Sequence, residues 1–242
     1  NNIRLSANAF KGILLMPGDE LSYNETTGPR RAEAGYQEAP VILNGELTPG
    51  MGGGVCQTST TLYNALLLAD LEIVERHPHS MPPAYVPRGT DGAVATGYLD
   101  LRFKNNFEYP IYIDSEVIGA RVYFYIYGDL KGRDYTVKID TQLHSTIPYK
   151  VHENLDPSLP PGTRELVQEG RTGYKVSTYK SIIKNGEVIS RDRISSDYYR
   201  ERDFIYKVGP APVIQPVVEP PITIDPIPVL PPDDVVIPEV LP

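Results

Sequence analysis

The chain has 242 residues, 40% of them hydrophobic and 22% charged, with a formal net charge of −8. That balance supplies cores for one medium or two small domains and excludes a chain disordered throughout. It also excludes a basic surface built for nucleic acid, and no run of about 18 apolar residues is long enough to form a membrane span. Asn1 opens the chain without a charged and apolar leader behind it, so no signal peptide is visible and a processed or trimmed piece is expected.

In chain order, IRLSANAFKGILLMPGDELSYNE begins as a short amphipathic stretch, turns at Pro17-Gly18 and continues as a strand-like ELSYN. The turn TGPRRAEAGY carries Glu25, Arg30, Arg31 and Glu33 in or beside it, which either shape a cleft or form a solvated loop. After Gly52-Gly53-Gly54, Leu62, Ala65, Leu66 and Ala69 recur at helical spacing and predict a helix over Val55 to Ala69. LEIVERH then reads as a strand. GYLDLRFKNN, YPIYIDSEV and ARVYFYIYGD alternate apolar and polar residues, as an antiparallel sheet with one buried face does. Tyrosine is frequent, 17 against 5 Phe and no Trp. YFYIY reads first as sheet packing and second as tyrosines on an exposed face that contact glycans.

From Tyr135 to Val208 the pattern is strands and turns. Asn185-Gly186 sits between two alternating β-branched runs, a hairpin signal because both positions reach positive φ cheaply. From Gly209 onward, 11 prolines in 34 residues and five acids without a base predict an extended, disordered linker. The expected fold class is α+β: a mixed helix and antiparallel-sheet domain over 1–130, a small elongated all-β domain over 131–209, and a Pro-rich acidic tail over 210–242.

Chemical content concentrates in PGMGGGVCQTSTTLYNALLLADLEIVERHPHS, residues 49–80. Three glycines allow a close backbone approach and a sharp entry into a helix whose first turn carries Cys56, the chain's one cysteine. The positive end of the helix favours the thiolate, the nucleophilic form. A helix of this length rises roughly 20 Å at 1.5 Å per residue. A strand from Leu71 to His77 returns about the same distance at 3.3 Å per residue, which brings His77 and His79 back to the level of Cys56. A thiol, an imidazole and free backbone N–H groups are what acyl transfer or peptide cleavage requires. The plain alternative makes Cys56 a small core residue, the glycines packing devices and the histidines structural. A metal at the two histidines would need a third ligand that the local spacing does not supply, so neither metal nor cofactor is expected.

The run GELTPGMGGGVCQTSTTLYNALLLADLEIVERHPHSMPPAYVPRGTDGAVATGYLDLRFKNNFEYPIYI, with the preceding LMPGDELSYNETTGPRRAEAGYQEAPVI, resembles the VanW family. The stretch from DYTVKID to FIYKVG is similar to a G-five domain, with Gly162, Gly170, Gly173, Gly186 and Gly209 as its glycines. The resemblance implies an extracellular protein of a Gram-positive-type cell envelope, anchored to wall or membrane, whose partner is peptidoglycan or another N-acetylglucosamine-containing glycan. It places Gly52, Gly53, Gly54, Cys56, Gln57, Ser59, Thr60, Arg76, His77, His79 and Ser80 at motif positions. The expected site has Cys56 as nucleophile, His79 or His77 as base, and Gly52, Gly53, Gly54, Gln57, Ser59, Thr60, Arg76 and Ser80 contacting substrate. The leading reading is a protein that binds or modifies peptidoglycan, by Cys56-dependent acyl transfer or peptide cleavage in its enzymatic version. The other is a non-enzymatic adhesion or scaffold module with a structural Cys56.

Overall fold

A computed structural model describes residues 1–43, 45–129 and 131–212 of the chain. The elements run α1 (Asn2–Asn8), β1 (Ile13–Leu15), β2 (Glu20–Ser22), α2 (Tyr23–Thr27), a 3-10 turn (Ala32–Ala34), β3 (Glu38–Leu43), β4 (Glu46–Met51), α3 (Val55–Leu68), β5 (Glu72–Glu75), β6 (Arg102–Lys104), β7 (Ile111–Ile118) and β8 (Arg121–Tyr127). Six further strands follow: β9 (Thr136–Ile147), β10 (Val151–Leu155), β11 (Arg164–Gln168), β12 (Gly173–Lys184), β13 (Glu187–Tyr199) and β14 (Phe204–Val208). The chain is therefore α+β and predominantly strand. The predicted tail over 210–242 lies, from residue 213 on, outside the described residues.

The first part is built of small antiparallel sheets, β1-β7-β8, β2-β6-β5 and the β3-β4 hairpin, around α3. Leu62, Tyr63, Leu66 and Leu67 of α3 are buried with Phe10, Tyr23, Leu101, Phe103, Ile111 and Ile113. Of the predicted stripe, Leu62 and Leu66 are buried and Ala69 packs partly against them, while Tyr63 and Leu67 rather than Ala65 complete the buried face. In the second part β9 and β13 flank β12, and β10-β14-β11 form a separate sheet whose β10-β14 pair is parallel. Asn185 (φ 52°) and Gly186 (φ 84°) close the β12-β13 hairpin, as the two-residue turn demands.

The two parts share side chains. Ile139 and Ile194, from β9 and β13, pack against the α3 core. At the C-terminal end of α3, where carbonyls lack helical partners, Arg133 donates to Ala69 O (3.1 Å) and Leu68 O (2.8 Å). Asp70, at positive φ in the turn after α3, accepts from Lys180 Nζ (2.6 Å) and Tyr135 Oη (2.8 Å). The second part thus holds one end of the helix whose other end carries Cys56.

That other end is set by three glycines with different tasks. Gly54 is the helix cap at φ 93°, and Gly52 turns at φ 83°. Gly53 leaves no room for a side chain, because a Cβ there would lie 2.5 Å from the Ala39 carbonyl carbon. Gly53→Ala is expected to lower stability by about 1–3 kcal/mol through this overpacking, read from urea unfolding of the full chain. An unchanged unfolding midpoint contradicts the packing role.

Candidate active site

Cys56 sits in the first turn of α3, half-buried, with Sγ 3.5 Å from Val94 O. The capping residue is glycine and offers no side chain to the turn. His79 arrives on the irregular segment after β5 and is 6% exposed. Its Nδ1 lies 2.6 Å from Asp91 Oδ2, and its backbone N–H donates to the same oxygen at 2.7 Å. Asp91 thereby fixes the ring beside the Cys56 thiol, close enough that each shifts the other's pKa. An imidazole near a thiol and oriented by a carboxylate is the arrangement in which a base is itself positioned by a third group.

The electrostatics follow from this geometry. Burial pushes the Cys56 thiol up, but the His79 hydrogen bond and charge, with the Arg30 charge, more than offset it and leave the thiol below its ordinary value of 9.0. Burial lowers His79, yet its hydrogen bonds to Asp91 and Cys56 outweigh that and raise it to about 9. Burial likewise disfavours the Asp91 carboxylate, but the hydrogen bonds of His79 and Tyr199 and the Arg76 charge hold it below its ordinary value. These directions favour the thiolate and the imidazolium over the neutral pair.

Asp91 is fully buried and is bound from both parts of the chain. Tyr199, at the end of β13 and 0% exposed, donates its hydroxyl to Asp91 Oδ1 and accepts from Gly89 N at 2.7 Å. Arg76 donates through Nη2 to Asp91 Oδ1 (3.2 Å) and through Nε to Asp91 O (2.6 Å). Its Nη1 reaches both oxygens of Asp197 on β13 (2.6 and 2.7 Å). Thr178 on β12 donates to Gly89 O at 2.8 Å. The loop carrying Asp91 is therefore clamped by the second part.

Cys56 and His79 open onto a cavity of about 630 Å³. Its walls come from β3, the glycine turn, the Met81-Pro82-Pro83 segment, Tyr85 and Val94, with Arg30 and Thr96 also among its lining residues. Arg30 Nη1 donates to Thr96 Oγ1 at 2.8 Å. Of the two readings of the TGPRRAEAGY turn, the cleft is the one Arg30 occupies.

The sequence-derived candidates separate into groups. Gly52, Gly53, Gly54, Cys56, Gln57 and His79 line the cavity. Ser59 and Thr60 are buried beneath it and bind the Gly92 main chain, Ser59 Oγ donating to Gly92 O (2.6 Å) and Thr60 Oγ1 accepting from Gly92 N (3.0 Å). Arg76 stands behind Asp91, away from the cavity lining, and Ser80 is exposed and also outside it. His77 does not meet Cys56: its Nε2 pairs with Glu75 Oε1 at 2.8 Å near the surface. The strand expected over Leu71 to His77 ends at Glu75, so its reach does not carry both histidines back to Cys56. Asp91, Asp197, Tyr199 and Arg30 are the polar residues around the thiol that sequence reasoning did not place there.

The family model described as VanW like protein matches residues 1–127, and that of the G5 domain matches residues 138–211. Among curated proteins, the chain is 41% identical over 127 residues to protein YoaR of Bacillus subtilis, covering 52% of this chain and 42% of the relative. It is 29% identical over 128 residues to the vancomycin B-type resistance protein VanW of Enterococcus faecalis, covering 49% of this chain and 46% of the relative. The chain thus spans less than half the length of both. Among solved structures, the IgA1 protease G5 domain matches at 24% identity and TM-score 0.27, over 32% of this chain and 92% of that one. HP0197-G5 matches at 32% identity and TM-score 0.21, over 31% and 97%.

Asp197→Ala is expected to cost about 3–5 kcal/mol in urea unfolding, because it leaves the buried Arg76 guanidinium without its main counter-charge. A loss below about 1 kcal/mol contradicts the clamp.

Proposed function

This chain belongs to the VanW family and continues into a G5 domain, the makeup of a cell-wall-associated protein, and from that premise we propose that it cleaves or transfers peptide bonds of peptidoglycan. The G5 domain binds the wall glycan, and Cys56 performs the chemistry. The observation that carries the reading is His79, held by Asp91 through Nδ1 and lining the same open cavity as Cys56, whose thiol it lowers.

In the proposed reaction the Cys56 thiolate attacks the carbonyl carbon of a stem-peptide bond. A C–S bond forms, and the carbonyl oxygen becomes an oxyanion facing the Cys56 backbone N–H, which the bonded Val55 and Gln57 N–H groups leave as the donor at the start of α3. The His79 imidazolium gives its proton to the amine nitrogen as the C–N bond breaks, leaving a thioester on Cys56. Water completes hydrolysis and an acceptor amine completes transfer, with His79 taking the incoming proton. Asp91 stays ionised and keeps the imidazole in place. Arg30 is the one fixed cation among the residues lining the cavity, where no acid stands beside it, which favours substrates that bring a carboxylate.

The pH dependence follows from the directions above. Activity rises as the depressed Cys56 thiol ionises and falls as His79 loses its proton at about 9, giving a bell, whereas alkylation by iodoacetamide needs the thiolate alone and shows no descending limb. Muropeptide analysis of digested sacculi is expected to show cleaved or exchanged stem peptides with the full chain. Cys56→Ala and His79→Gln are each expected to lower the rate at least about 10²-fold. Unchanged muropeptides, or Cys56→Ala equal to wild type, contradict the enzymatic reading and leave the adhesion module.

A further inference from the structure

The exposed face of the β7-β8 hairpin is unlike an ordinary solvated sheet face. The strand period puts Tyr123, Tyr125 and Tyr127 on one side of β8, while Phe124 and Ile126 on the other side pack against the core. Across the ladder, Tyr123 faces Glu116, Tyr125 faces Asp114 and Tyr127 faces Tyr112. Successive tyrosine rings lie 6.4 and 6.3 Å apart with interplanar angles of 11° and 26°, and Tyr112 lies 6.0 Å from Tyr127. Tyr112, Tyr125 and Tyr127 are 40%, 37% and 54% exposed. Where one face of an antiparallel sheet meets water, polar residues are the rule, and a contiguous row of large rings there marks a contact surface.

We propose that this face is a binding platform for a linear, uncharged glycan, separate from the Cys56 cavity and independent of any reaction there. Aromatic rings present a negative face to the polarised C–H groups of a sugar ring, and a row of near-parallel rings offers one stacking surface per successive sugar. Asp114 and Glu116 run beside the rings, are in no ion pair among the described residues, and supply acceptors for sugar hydroxyls. Charge selects the occupant. Two carboxylates against the single Arg121 at the far end of the strand disfavour an acidic polysaccharide. They equally disfavour the chain's own last 34 residues, which hold five acids and no base.

The test is calorimetric titration of the full chain with N-acetylchitohexaose as the neutral probe, and with heparin and oligolysine as charged ones. Wild type is expected to bind the neutral oligosaccharide. Tyr125→Ala combined with Tyr127→Ala is expected to weaken it at least about 10-fold, while Tyr125→Phe, which keeps the stacking ring, stays within about 2-fold. The tyrosine variants are surface changes, and an unchanged melting transition shows the fold intact. Equal binding by the double variant overturns the proposal by assigning the glycan to another surface, the G5 domain included. Binding of heparin or oligolysine without the neutral probe overturns it as well. Cys56→Ala is expected to bind as wild type does, so failure of the catalytic reading leaves this result standing.

Discussion

A buried carboxylate organises this protein. Asp91 is withdrawn from water and would be costly there alone. Four donors meet it: the His79 ring and backbone N–H, the Tyr199 hydroxyl and the Arg76 guanidinium. Each restrains a different part of the chain, so one charge sets the orientation of the imidazole, the path of the 76–92 loop and the seat of β13. The thiol is downstream of this. Its depressed pKa depends first on an imidazole that stays protonated, and the imidazole stays protonated because Asp91 is ionised and immobile.

This makes the division into a chemical domain and an anchoring domain too simple. Tyr199 and Asp197 come from the second part, yet they complete the charge balance behind His79. Arg133, Tyr135 and Lys180, from the same part, hold the far end of the helix that bears Cys56. Residues beyond the segment that matches the VanW model thus brace the far end of the helix directly and reach the Cys56 end through Asp91 and His79. Strain on the second part has a direct physical route to the thiol.

Local signals carried much of this fold. Helical spacing from Val55 onward, the glycine entry to it and the Asn185-Gly186 hairpin each rest on rules that neighbouring residues satisfy alone, and the structure contains all three. Cys56 and the glycine turn were legible for the same reason. The choice between His77 and His79 was not, because it depends on where β5 ends. Pro78 separates the two histidines, and the chain leaves the strand before either, so the expected strand length puts both at the level of Cys56 and does not tell which one turns toward it. Asp91 was hidden in a different way. Within PRGTDGA it has the look of a turn aspartate, and what makes it a buried ion is a set of partners up to 108 residues away. No short window of sequence contains that pairing.

The single cysteine makes the central claim directly measurable, since every thiolate signal belongs to Cys56. Ultraviolet absorbance titration of the thiolate in the full chain, beside Asp91→Asn, isolates the carboxylate's hold on the pair. With Asp91 present the thiolate midpoint lies below 9.0. With the neutral amide, His79 loses its ionic partner, its own pKa falls, and the thiolate midpoint rises. Identical midpoints in the two proteins, or a wild-type midpoint above 9.0, would contradict the account.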